Sequence, residues 1–355
     1  MVILVVNCGS SSLKWSLFRA DGSTLTRIAG ETRAVPARGY RDALLEVRRQ
    51  LPTSPDLIAH RMVHGGTIDR ELVLIDQAIL EQLELATELA PLHNEPALQG
   101  IRLGMEIGVP QIVAFDSAFH RTMPEVAYRY AIPASIPVRR LGFHGWSHRH
   151  ACEEYARLSG SSAPTIITLH LGSGCSATAI RLGESVDTSM GYSPLEGLVM
   201  GTRAGDLDPG VITYLLHQGV RMDQVDQILN RESGLVALAG TSDMRELLER
   251  EDPAARLAVD IFCYRARKYV GAYLAVLEGA EALVFTGGIG ERSAEIRRRI
   301  CEPLGWAGIT LDPQCNERSE RRISAEGSRM AAWVIPAEEE QMIARVSLRF
   351  LAALS

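Results

Sequence analysis

Two turns rich in glycine and serine carry the first chemical suggestion in this chain. Asn7-Cys8-Gly9-Ser10-Ser11-Ser12 follows the apolar residues 2–6, and His170-Leu171-Gly172-Ser173-Gly174-Cys175-Ser176 follows the apolar residues 166–169. Glycine lets a backbone approach a phosphate closely and turn its N–H groups inward, and serine hydroxyls add donors. Either turn alone reads equally as a tight hairpin. Two of them, one opening each half of the chain, point to a grip on a polyphosphate. Asp116 ends the strand-like residues 112–115, and ligands of open α/β sheets sit at the carboxyl ends of strands. A carboxylate there can hold a divalent cation or orient an attacking oxygen, although a strand-end Asp is also a common turn residue. Arg61 lies in His60-Arg61-Met62-Val63-His64-Gly65-Gly66 and Arg203 in Met200-Gly201-Thr202-Arg203-Ala204-Gly205-Asp206. Guanidinium forks bind carboxylates and phosphoryl groups bidentately. Thr286-Gly287-Gly288-Ile289-Gly290 follows apolar residues 282–285. It resembles a nucleotide-binding turn and reads as well as a tight strand-to-helix connection.

Other clusters are weaker. Gly142-Phe143-His144-Gly145-Trp146-Ser147-His148-Arg149-His150 holds three histidines, but partner carboxylates that would orient metal-bound imidazoles are not evident. Glu338-Glu339-Glu340 reads as a solvated charge run at a helix N-terminus, where acids are favourable. Lysines occur only at positions 14 and 268, which singles out Lys14 because lysine and arginine do different work at phosphate sites. The six cysteines form no C-x-x-C pair and no zinc spacing, as suits free thiols in a reducing compartment.

The elements that must position these residues alternate between strand and helix, which argues for α/β layers. The two Gly/Ser hairpins form a weak internal repeat and suggest a duplicated domain. Residues 78–89 and 257–277 repeat apolar residues at spacings of three and four, as amphipathic helices do. Residues 19–55 are polar and Arg-rich and read as the periphery of the first domain. Residues 317–329 read as an exposed charged connection. A length of 355 residues suggests two domains. The net charge of −6 argues against a nucleic-acid surface. No apolar run approaches a membrane span, and the short apolar start lacks a basic flank, so it reads as a first strand and not a signal peptide. A cytoplasmic location is expected, with no membrane partner.

Taken together, these stretches resemble the acetate/propionate kinase family. Val5-Val6-Asn7-Cys8-Gly9-Ser10-Ser11-Ser12-Leu13-Lys14 is similar to its first motif, and the run from Asp187 through Met190-Gly191-Tyr192-Ser193-Pro194-Leu195-Glu196-Gly197 to Arg203 to its second. His60–Gly66, Pro91-Leu92-His93-Asn94, Phe115-Asp116-Ser117-Ala118-Phe119-His120, His144–His148, Ser242-Asp243-Met244-Arg245, Gly287–Glu291 and Pro336–Glu340 match in order, over nearly the whole chain.

The resemblance implies the duplicated actin-like ATPase fold of sugar kinases, heat-shock chaperones and actin, with the site in the cleft between domains. Residues 1–118 plus 341–355 would form the domain with the first phosphate loop and the acyl-substrate side. Residues 119–340 would carry the second phosphate loop, the adenosine site and the contacts of a homodimer. The implied reaction is reversible transfer of the ATP γ-phosphoryl to acetate or another short-chain carboxylate, with Mg2+ (or Mn2+) as cofactor. Asp116, His144 and Arg203 would be catalytic. Arg61 would bind the carboxylate, with Val63, Leu92, Phe143 and Pro194 around its alkyl group. Lys14, His170, Leu171, Gly172, Ser173, Gly174, Asp243, Met244, Arg245, Gly288, Ile289, Gly290, Glu291 and Arg292 would hold the nucleotide, and Asn7 and Glu339 the metal. The chain departs from the family pattern at Ser173 and Arg292, where Asn is usual, at Trp146, where a small Thr is usual, at Ala337-Glu338, and in a shortfall between Arg19 and His60. Two other readings compete. One is a nucleotide-driven switch or sensor of the same fold, which has no need of a carboxylate-binding Arg61. The other is a nicotinamide dehydrogenase, which the late position and wrong spacing of Gly287–Gly290 disfavour.

Overall fold

The computed structural model describes all residues except Ser10, Ser11, Ser23, 36–38, Thr67, Ala90 and Ser355, and only the backbone of 88, 89 and 91–93. The chain divides into two compact units, Met1–Ala118 with Glu338–Ser355, and Phe119–Ala337. The sequence reading returned the chain to its first domain at 341. In the structure the C-terminal helix Glu339–Ala352 belongs to the first unit from its first residue.

The first unit is built on a six-stranded sheet. Its strands are β1 (Val2–Cys8), β2 (Ser12–Asp21), β3 (Thr24–Ala34), β4 (Leu57–Met62), β5 (Leu72–Leu74) and β6 (Gln111–Phe115), in the order β3-β2-β1-β4-β6-β5. β1, β2 and β3 form an antiparallel meander, and β1, β4 and β6 run parallel. β1 sits centrally because its Val-Ile-Leu-Val-Val run offers apolar side chains to both faces, as a strand covered on both sides must. One face packs on helices α1 (Tyr40–Gln50), α2 (Gln77–Leu89) and α3 (Pro91–Ile107), through Leu4, Val6, Leu44, Val47, Ile58 and Leu103 near α1, and through Leu83, Leu98, Ile101 and Phe115 near α2. Helix Glu339–Ala352 packs on β1, β2 and β4. Strand residues alternate between faces, so Asn7 lies opposite to Leu4, Val6 and the α1 cluster.

The second unit repeats this plan. Its strands β7 (Ile166–Leu171), β8 (Cys175–Arg181), β9 (Glu184–Thr188), β10 (Ala282–Thr286) and β11 (Ala331–Val334) are ordered β11-β10-β7-β8-β9. An antiparallel meander again joins parallel strands reached by crossovers. β1-β2-β3-β4-β6 and β7-β8-β9-β10-β11 thus share one topology, and the hairpin repeat expected from the two Gly/Ser turns is a repeat of the whole sheet. Helix Gly145–Ser159 covers it through Ala151, Cys152 and Tyr155 on Ile166, Ile180 and Val284.

Three readings of the sequence are corrected. The segment read as unpatterned periphery contains β3 and α1; β3 is a largely exposed edge strand, so its sequence carries no apolar alternation. Gly287–Gly290, read as a nucleotide-binding turn or a tight strand-to-helix connection, lies within a short helix, Gly287–Arg292; its first residue is glycine because φ is +77° and a Cβ there would lie 2.7 Å from the Leu171 carbonyl. Glu339 and Glu340, read as solvated, are only 7% and 5% exposed.

Candidate active site

In the first unit, strand register creates a row of functional side chains. Asn7 on β1 pairs with Lys14 on β2 and with Arg61 on β4, so all three emerge on one face. Asp116 follows the carboxyl end of β6 and is completely buried. Arg61 Nε and Nη2 donate to the two Asp116 oxygens at 3.2 and 2.6 Å, and Nη1 donates to Asn7 Oδ1 at 3.0 Å. A guanidinium has five N–H groups, so two remain uncommitted, one on Nη1 and one on Nη2. Asn7 Nδ2 in turn donates to Glu339 at 3.3 Å and Glu340 at 3.4 Å, and Lys14 Nζ lies 2.9 Å from Glu340. Burial pulls the Arg61 and Lys14 pKa values down, but the surrounding acids outweigh it and both end above their ordinary values. Glu339 is held above the usual carboxylate range, first by burial and then by Asp116 and Glu340, against the pull of Arg61 and Lys14.

Three carboxylates therefore meet two cations here. The donor set is oxygen without thiol or imidazole, which is what a hard divalent cation takes. Among the described residues no group of three His, Cys, Asp or Glu makes a closed metal cage. Asn7 and Glu339 could hold such an ion only in part, leaving the rest of its coordination to water and phosphate oxygens. Of the expected acyl-side residues in this unit, Val63 is half-buried and its carbonyl accepts from Ser117 N at 3.3 Å. The Leu92 side chain, and Ser10 and Ser11 of the first phosphate turn, lie outside the described residues.

In the second unit, the β7–β8 turn and the loop after β9 bring three expected residues together. A Cβ on Gly174 would stand 2.8 Å from Arg203 Nη2 and 3.1 Å from His144 Nε2; only glycine leaves room for that convergence. Arg203 Nη1 donates to the Pro194 carbonyl at 2.7 Å, and among the described residues no carboxylate pairs with it. Burial pushes its pKa below the ordinary arginine value, with only the Cys175 thiol opposing. His144 adopts the left-handed conformation, φ 56°, just before helix Gly145–Ser159. Its ring stacks on His170 at 4.2 Å, and its Nδ1 is 2.9 Å from Ser176 Oγ. Ser176 Oγ also contacts His148 Nε2 at 2.7 Å, and His148 Nδ1 lies 2.7 Å from Thr168 Oγ1. Burial keeps His148 neutral. A hydroxyl has one proton to give, so at least one of these two rings donates to Ser176, and the contact holds the His144 ring with Nε2 toward Gly174 and Arg203. His170 Nδ1 is 2.8 Å from Ser147 Oγ. Phe143 is buried and its carbonyl accepts from His120 Nε2 at 3.0 Å.

Gly172, Ser173, Asp243, Met244, Arg245, Gly288, Ile289 and Arg292 line one cavity of 640 Å3. Gly201, packed against Ser242 Cβ and the Ser173 carbonyl, closes the strand turn onto the loop before Asp243. Asp243 caps the helix Met244–Glu249 and accepts from Arg245, which holds its carboxyl down at about 2. Leu171 and Gly290 are buried beside this cavity. Glu291 is committed elsewhere, accepting the Ala337 N–H at 2.8 Å. The sequence reading missed Glu340, Ser176, Thr168 and Ser147. For Glu340 the signal was its place in the acid triplet and for Ser176 its place in the second Gly/Ser turn; for Thr168 and Ser147 there was none.

A chain that carries arginines, buried acids and a glycine-lined cavity on a duplicated α/β sheet matches phosphotransferases whose acceptor is a carboxyl group. The family model described as the Acetokinase family matches residues 39–345, and the chain belongs to that family. It is 42% identical to the acetate kinase of Chloroherpeton thalassium, covering 98% of this chain and 99% of that one. It is 44% identical to the acetate kinase of Micrococcus luteus, covering 98% of each. Among solved structures, a propionate kinase from Francisella tularensis matches with a TM-score of 0.88 and 37% identity, covering 97% of this chain and 98% of that one. The acetate kinase of Porphyromonas gingivalis matches with a TM-score of 0.87 and 34% identity, covering 99% of each. The fold is accordingly the duplicated actin-like ATPase fold.

Proposed function

We propose that this protein transfers the γ-phosphoryl of ATP to acetate or a homologous short-chain acid, reversibly, and that the two residue sets supply complementary parts of one in-line transfer. The observation that carries this reading is the contrast between the arginines. Arg61 is aimed by Asp116 and Asn7 and keeps two N–H groups free, the number one carboxylate takes in a bidentate pair. Arg203 pairs with no carboxylate among the described residues, lies beside His144 and Gly174, and so suits a group whose negative charge arrives with the substrate.

A carboxylate oxygen is already an anionic nucleophile and needs little base catalysis. The protein's task is alignment and neutralisation of charge on the equatorial oxygens. Arg203 and His144 perform the second task. Asp116 holds Arg61 and through it the acid, and Val63, Phe143 and Pro194 face the alkyl group. The nucleotide occupies the 640 Å3 cavity, with Lys14 and the His170–Gly174 turn on its phosphates. Asn7 and Glu339 would hold Mg2+, which would supply neutralisation of the polyphosphate when bound. Domain limits follow the two units. The chain works in the cytoplasm, as its six free cysteines, five of them buried, suit. It assembles as a homodimer through apolar side chains exposed near helix Pro209–His217, among them Tyr214 and Met222.

The test is acyl-phosphate formation trapped as the hydroxamate, with acetate, propionate and butyrate in parallel and ATP, GTP and pyrophosphate as donors. Product with ATP and at least one acid is the expected result, and the ranking names the substrate. No product from folded protein that still binds ATP would overturn the reading.

A further inference from the structure

The Phe115–His120 stretch ends in a histidine that the phosphoryl transfer leaves without a role. His120 lies in the 3-10 segment Asp116–Thr122 and is completely buried. Its Nδ1 is 2.9 Å from Ser185 Oγ on β9, and Thr122 Oγ1 donates to the Ser185 carbonyl at 2.7 Å. The ring stands edge-on to Phe119 and to His148, with centroids 5.7 and 5.8 Å apart. Held on these sides, it presents Nε2 to the Phe143 carbonyl at 3.0 Å. A carbonyl only accepts, so Nε2 carries the proton.

That carbonyl belongs to the peptide leading into His144. His144 has φ 56° and ψ 28°, a left-handed conformation that a residue with a Cβ keeps only where its surroundings over-determine it. Gly142 has φ +75°, and a Cβ on it would lie 2.5 Å from His120 Cδ2 and 2.5 Å from Thr188 Cγ2, so the backbone is laid directly on the imidazole. The N–H groups of Leu141 and Gly142 both donate to the Gly191 carbonyl, at 3.0 and 3.3 Å, and beyond them the His144 carbonyl accepts from His148 N at 3.0 Å. Between these anchors the hydrogen bond from His120 sets the plane of the Phe143–His144 peptide. Turning that plane changes φ of His144 and swings its ring, whose Nε2 shares the space beside Gly174 with Arg203 Nη2.

We propose that His120 is a positioning residue for phosphoryl transfer: its Nε2–H fixes the Phe143–His144 peptide, holds His144 in the left-handed conformation and so keeps His144 Nε2 beside Arg203. This rests on the reading of His144 as a group that neutralises the transferring phosphoryl, and adds the residue that aims it. His120 acts through His144, so its loss appears in kcat and not in the binding of ATP or acid.

The test compares His120→Asn with His120→Gln in the full-length protein, by steady-state acyl-phosphate formation, thermal melts and NMR of 15N-labelled histidine. Gln places an amide N–H where Nε2 stands and still donates to the Phe143 carbonyl; Asn reaches only as far as Nδ1. His120→Asn should lower kcat about 10²-fold, the effect of a shift of about 1 Å at a transferring-group contact. KM for ATP and for the acid should stay within about twofold of the parent. His120→Gln should recover about tenfold of the loss, the effect of one restored hydrogen bond. The His144 Nε2 resonance should move in His120→Asn and return toward the parent position in His120→Gln. In a His144→Ala background, His120→Asn should lower the residual kcat by less than about twofold, because residues acting as one unit are not additive. Parent kcat in His120→Asn, equal kcat in the two variants, or a full further loss in the His144→Ala background would overturn the proposal. If His120→Asn does not fold, Ser185→Ala takes its place, removing the hydroxyl that orients the imidazole; kcat should fall, and parent kcat there would overturn the proposal. A parent that forms no acyl phosphate with any acid or donor overturns the kinase reading and this role together. An active parent beside an unaffected His120→Asn overturns this role alone.

Discussion

The duplicated sheet lets the two units be compared position by position. Across β4, β1 and β2 the first unit places Arg61, Asn7 and Lys14 in one row; across β10, β7 and β8 the second places Thr286, His170 and Ser176. One stage carries charges that compensate each other, and the other carries an imidazole and hydroxyls. The second unit imports its cation, Arg203, from the loop after β9, and among the described residues no carboxylate pairs with it. A buried ion pair contributes little net stability but is costly to break, whereas an unpaired arginine attracts whatever anion can reach it. The same topology therefore yields a pre-set binder in one unit and a receptor for incoming charge in the other.

Breaking the receptor should have the largest kinetic effect. Arg203→Ala is expected to lower kcat by about 10³–10⁵, the range for an arginine at a transferring phosphoryl, with little change in melting temperature because no charge is orphaned. Steady-state kinetics beside thermal melts check this; a normal kcat would remove Arg203 from the reaction. Breaking the binder should show in stability as well. Arg61→Ala removes the cation paired with the buried Asp116, at a cost of about 3–5 kcal/mol, and Asp116→Asn in the same chain should recover much of it. Urea unfolding of both variants decides, and equal stabilities for Arg61→Ala and the parent would show that the pair is not structural.

Gly174→Ala sharpens the comparison inside the second unit. The added methyl meets Arg203 Nη2 and His144, and a shift of about 1 Å in a transferring-group contact costs about 10²-fold in rate, so kcat should fall while the fold persists. The smallest effect concerns pH. Glu339 titrates above its unfolded value, so its contribution to stability is complete below the ordinary carboxylate value of 4.5 and is lost as pH rises through the raised one. Glu339→Gln should therefore lose less stability than the parent between pH 4.5 and neutrality; parallel pH curves would contradict the burial argument.

Much of this was legible beforehand, for physical reasons. The run Val2–Val6 and the two Gly/Ser turns announced buried strands and tight hairpins because burial on both faces and close turns demand those residue types. Arg61, Asp116 and Arg203 stood out through their glycine and strand-end contexts. β3 did not, because an exposed edge strand has no apolar pattern to read. Glu339 and Glu340 were misread because burial of acids depends on Lys14 and Arg61, which are distant in sequence. The Thr168–His148–Ser176–His144 chain was invisible for the same reason: it exists only after β7 pairs with β8 and the helix Gly145–Ser159 docks.

The most direct test of the whole account is ADP release from Mg2+-ATP, measured with and without acetate or propionate and compared with hydroxamate formed in the same tube. Release that depends on the acid and matches the hydroxamate mole for mole is the predicted result. ATP turnover that proceeds equally without acid, with no hydroxamate, would contradict it.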